Sequence, residues 1–71
     1  MAGLTPRIPV VSSMINSVGY DAESQQLEVE FNNGSVYTYG GVPQAEYDAM
    51  MGAQSVGKYF IQNVKNAYRV E

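Results

Sequence analysis

A chain of 71 residues is a single domain close to the lower size at which a core sustains itself, and with no cysteine it has no disulfide to supplement that core. The absence of histidine as well as cysteine removes the commonest proton shuttle at neutral pH and the two commonest transition-metal ligands. Only 15% of the residues are charged and the net charge is −3, which counts against a partner held by many phosphate contacts.

The first segment, Met1 to Val11, reads as an extended arm: Pro6 and Pro9 stiffen it, and Ile8, Val10 and Val11 give it apolar surface to lay along a sheet edge. It has no basic stretch leading into a long apolar run, so it does not read as a secretion signal, and no segment has the roughly 18 apolar residues of a membrane helix. A cytoplasmic protein with no membrane partner is the expectation. Met14 to Tyr20 reads as the first strand, with a bulge expected at Gly19. Asp21 to Gln25 has turn chemistry. Asp21 and Glu23 are spaced like the start of a calcium loop, but the other ligands of such a loop do not follow.

Leu27 to Phe31 alternates cleanly, with Leu27, Val29 and Phe31 on one face and Glu28 and Glu30 on the other. Asn32-Asn33-Gly34 signals a hairpin, and Ser35 to Tyr39 returns as the third strand. Loop length decides where Tyr37 and Tyr39 point. A two-residue turn at Asn33-Gly34 pairs Phe31 with Val36 and puts both tyrosines beside the glutamates. A three-residue loop with Gly34 left-handed pairs Phe31 with Ser35 and puts them beside Leu27, Val29 and Phe31. So small a domain needs aromatic area in its core, which favours the second geometry. Tyr37, at mid-strand, is then expected to tolerate truncation least. The first geometry would make the pair a stacking platform for bases or a partner's side chains.

Pro43 opens a helix that carries Tyr47, Met50 and Met51 inward and stops at Gly52, with Glu46 and Asp48 facing water near its positive end. Ser55 caps a second helix whose expected buried stripe is Phe60, Val64 and Tyr68, widened by Ile61 and Ala67. At 100° per residue Lys58, Gln62, Lys65 and Arg69 fall within about 60° of one another on its opposite face. That stripe could track a phosphate backbone or be an ordinary solvated face. The fold class expected is therefore α+β: a three-stranded antiparallel meander, then two helices packed on one face, preceded by the arm. Residues 1–11 are the arm and 12–71 the domain.

SSMINSVGYD, LEVEFNNGSVYTYGGVPQAEYDAM and SVGKYFIQNVKNAY together resemble the KTSC domain, from about Val11 to Tyr68. The central Tyr37-Thr38-Tyr39 and the cluster Ser55, Gly57, Tyr59 and Phe60 carry most of the likeness. The resemblance implies a module named for the C-terminal domains of lysyl-tRNA synthetases, which also occurs as short bacterial and phage-type proteins and for which RNA binding has been suggested. No nucleophile–base pair is visible, so a non-enzymatic binding module without cofactor or metal is expected. A protein partner or self-association as a homodimer is slightly favoured by the acidic balance. The alternative is weak RNA binding through Lys58, Lys65 and Arg69, with Tyr37 and Tyr39 as the other candidate contact residues.

Overall fold

A computed structural model describes residues 7–71. Five strands form one antiparallel sheet in chain order: β1 (Arg7–Pro9), β2 (Ile15–Asp21), β3 (Gln26–Phe31), β4 (Val36–Gly40) and β5 (Arg69–Val70). Between β4 and β5 lie α1 (Gln44–Met51) and α2 (Val56–Tyr59), and α2 runs on into a π-helical turn, Phe60–Val64. The class is α+β as expected, with five strands in place of three. The two added strands are three and two residues long, too short for an alternating pattern to register in the sequence. The described part of the arm lies on the sheet edge, Ile8 opposite Val18. Met1 to Pro6 lie outside the described residues.

Helices cover one face of the sheet. Ile15, Val18, Leu27, Val29 and Tyr39 from the strands meet Met50, Val56, Phe60 and Val64 from the helical layer, and all are buried. Period two on β3 and roughly four-residue spacing in the helical layer aim these side chains at one another. The bulge in β2 falls between Ile15 and Ser17 rather than at Gly19. Glycine tolerates a bulge, yet here the extra residue is Asn16, and it lets Ile15 and Val18 both face inward.

The hairpin takes the three-residue form. Phe31 N–H donates to Ser35 O at 2.8 Å, Gly34 N–H donates to Phe31 O at 2.9 Å, and Gly34 has φ +91°, which glycine adopts freely. The register that follows sets Val29 against Tyr37 and Leu27 against Tyr39. Both tyrosines therefore share the helix-covered face.

On the second helix Ser55 Oγ accepts from Lys58 N–H at 3.2 Å, the expected cap. The helix does not reach Tyr68, however. Lys65 N–H donates to Phe60 O, a five-residue span, and the chain then turns into β5. Gly57 is where this helix meets the strand layer: a Cβ there would lie 2.8 Å from Ser12 Oγ. That hydroxyl is itself held by the N–H groups of Met14 and Ile15, each at 3.1 Å.

Candidate functional site

The helical layer leaves part of its sheet face uncovered. Beyond Tyr39, β4 has no strand beside it at Tyr37, because β5 pairs only with Tyr39 and Gly40 before Glu71 N–H closes on Thr38 O. The result is an open groove of about 360 Å³, in the lower range of small-ligand clefts. Phe31 and Tyr39 form its floor with Phe60, while Met14, Tyr37 and Ile61 form its walls. Phe60 meets Phe31 and Tyr39 edge-on, with ring centroids 5.5 and 5.4 Å apart, and Tyr37 meets Phe31 edge-on at 5.4 Å. These edge-to-face contacts fix the floor without closing the top.

The two tyrosines thus divide. Tyr39 is 3% exposed and Tyr37 is 46% exposed, so the expectation that Tyr37 would be the less dispensable is reversed. A mid-strand position says nothing about which rows of a sheet the helices cover. Burial, and then Tyr37, push the Tyr39 phenol above its ordinary pKa.

The polar rim of the groove is Lys65, Asn32, Asn33 and Ser35. Asn33 Oδ1 already accepts from Ser35 N–H at 2.9 Å, which leaves its amide NH₂ as a donor. Lys65 is the one charged side chain in the lining, and no carboxylate lines it. Among the described residues the sole ion pair is elsewhere, Arg7 to Glu28 at 3.0 Å on the sheet's other face.

The expected basic stripe is not carried by one helix face. Lys58 is exposed on α2 outside the groove lining, Lys65 lies at the rim, and Arg69 is on β5 opposite Gly40. The 100° arithmetic fails because the π-helical turn carries more residues per turn and the helix ends at Val64. Glu46 also departs from expectation. It is half-buried, its Oε1 accepting from the Tyr59 hydroxyl and its Oε2 from the Tyr68 hydroxyl at 3.0 Å. The Tyr59 phenol is raised chiefly by that bond; Tyr68 is raised by burial first and by the bond second. Two tyrosines in the C-terminal segment were a usable signal for such a partner on α1. Asp48 faces solvent as expected.

Comparison with known proteins places this geometry. The KTSC domain profile matches residues 11–68. The chain belongs to the KTSC domain family. A KTSC domain protein of Yersinia pestis, solved by crystallography, superposes with a TM-score of 0.91 at 36% identity, covering 94% of each chain. An uncharacterized protein of Stutzerimonas stutzeri is 44% identical over 59 residues, 83% of each chain. A lysine–tRNA ligase of Nostoc punctiforme is 32% identical over 66 residues, which are 93% of this chain but 12% of the ligase.

Most of the residues that carried the KTSC resemblance serve the packing. Gly57 admits Ser12, Phe60 fills the space above β3 and β4, Tyr59 reaches Glu46, and Tyr39 is core. Tyr37 is the exception, with half its surface free. No helix among the described residues is long and apolar enough to cross a membrane.

Proposed function

We propose that this KTSC domain is a non-enzymatic binding module and that its partner surface is the groove walled by Tyr37 and Ile61. One observation carries the reading: on the face where the helices otherwise bury the sheet, Tyr37 and Ile61 stand 46% and 47% exposed around an aromatic floor. Exposed apolar side chains grouped in a concavity, unlike those scattered singly, mark a place where another surface docks. A protein segment is the occupant favoured. The chain is net acidic with only four basic residues, so it offers little to a polyanion. Strand pairing with a second copy has less support than the groove, since edge strands β1 and β5 are only three and two residues long.

Selection of displayed peptides on the wild-type domain, repeated on Ile61→Asp, tests this. Peptides that lose binding to Ile61→Asp support the groove, and peptides indifferent to the change refute it. Weak RNA binding is the second reading. It is favoured by the nearness of Tyr37 and Lys65 in one groove and by the presence of a similar segment in lysine–tRNA ligases. Titration with a single-stranded oligonucleotide at rising salt separates the two readings, because a phosphate-based contact weakens steeply with salt.

A further inference from the structure

The groove's chemistry is one-sided. The one charged group in its lining is a cation. Lys65 presents an ammonium with three N–H bonds, and Asn33 presents an amide NH₂ whose oxygen is already committed to Ser35. Six of the chain's seven carboxylates lie between Asp21 and Asp48, and none of the seven lines the groove. An acidic protein has therefore kept its acids away from this aromatic concavity, and set a cation there.

From this we infer that the groove takes a segment bearing an apolar side chain flanked by a carboxylate, the apolar group seated against Phe31, Tyr37 and Ile61 and the carboxylate paired with Lys65. Electrostatic complementarity gives selectivity more than affinity at such a rim. An apolar side chain alone would fill the groove equally well whatever its neighbours. A single negative charge gains from Lys65, whereas a run of negative charges is opposed by the net charge of −3. A positively charged segment would meet Lys65 and no carboxylate in the lining. The inference rests on the groove being the partner surface, and its test is arranged so that the two can fail separately.

The test is an amide chemical-shift titration of the ¹⁵N-labelled domain with three probes: N-acetyl-Phe-Glu-amide, its neutral analogue N-acetyl-Phe-Gln-amide, and a single-stranded hexauridylate. The expected result is shifts at Phe31, Tyr37, Ile61 and Lys65, with the acidic dipeptide binding about three-fold tighter than the neutral one, as an exposed ion pair supplies. In Lys65→Gln the two dipeptides should become equal. The change leaves the Lys65 backbone N–H on Phe60 O, and its exposed position keeps the fold intact. Equal binding of both dipeptides to the wild type would overturn the carboxylate preference while leaving the groove as a docking surface. Shifts from hexauridylate alone would overturn it in favour of nucleic acid. No shift from any probe up to its solubility would overturn both the inference and the groove.

Discussion

Truncating Tyr39 to Ala should remove about half of the domain's stability, while truncating Tyr37 should remove little of it. Tyr39 is 3% exposed, lies opposite Leu27 on one side and Val70 on the other, and meets Phe60 edge-on at 5.4 Å. Removing a buried aromatic ring costs about 3–5 kcal/mol, because the lost transfer energy is joined by that of the cavity left behind. A 71-residue domain at about 0.05–0.15 kcal/mol per residue has roughly 4–10 kcal/mol in total. Tyr37 leaves no enclosed cavity when truncated, since the groove above it is already open. Its loss is one edge-to-face contact with Phe31 and part of a cross-strand pair with Val29, about 1 kcal/mol together. Urea unfolding followed by circular dichroism measures both, as the chain has no tryptophan to report. Equal losses in the two variants would refute the reasoning, for they would mean that Tyr37 is as enclosed as Tyr39 and that the groove is closed in solution. Tyr39→Phe, which keeps the ring, should stay within about 1 kcal/mol of the parent.

Gly57→Ala should destabilise by about 1–2 kcal/mol despite alanine's better helix propensity, because its Cβ meets Ser12 Oγ, which two backbone N–H groups hold in place; a higher melting temperature would show that the Ser12 loop yields. Gly34→Ala should cost about 1–2 kcal/mol through its left-handed φ alone, since nothing lies within 4 Å of the added methyl, and a neutral change would show that Gly34 is not held at positive φ. Glu30 has its carboxyl held below its ordinary pKa of 4.5 by hydrogen bonds from Asn16 Nδ2 and Ser17 Oγ, both at 2.9 Å. Its contribution to stability is therefore complete above that value and is lost as pH falls through the lowered native one. Asn16→Ala should move the Glu30 carboxyl midpoint upward in a ¹³C titration, and an unmoved midpoint would remove the bond from the account.

The sequence was readable where a pattern ran long enough to repeat. Leu27 to Phe31 alternates over five residues, Ser55 precedes its helix with the right side chain, and the KTSC likeness spans almost the whole chain, so the middle of the fold and the family could be stated in advance. Asn-Asn-Gly was ambiguous for a physical reason: glycine satisfies both loop lengths, and the burial that decides between them is a property of the assembled layer. The C-terminal helix was overextended because Phe60, Val64 and Tyr68 keep four-residue spacing through a π-helical turn and a reversal. Tyr68 does pack inward, from a turn rather than a helix, and its hydroxyl finds Glu46. The groove was the least legible feature. It arises where β5 stops short, and no local pattern announces the end of a two-residue strand.

The strictly sequential order of the sheet bears on how the chain folds. Every strand pairs with its predecessor in the chain, and β2, β3 and β4 are joined by turns of only a few residues. Β-sheet assembly is usually slowed by the entropy of closing long loops before any contact is gained. Here the two central hairpins close short loops, and the long excursion through α1 and α2 is required only for β5. A nucleus built from β2, β3 and β4 could therefore form from low-contact-order pairings alone, with Tyr39 and Phe31 already on one face to receive Phe60. The two-residue fifth strand would be the last piece to dock and the first to fray, and it lies beside the part of β4 from which the groove opens.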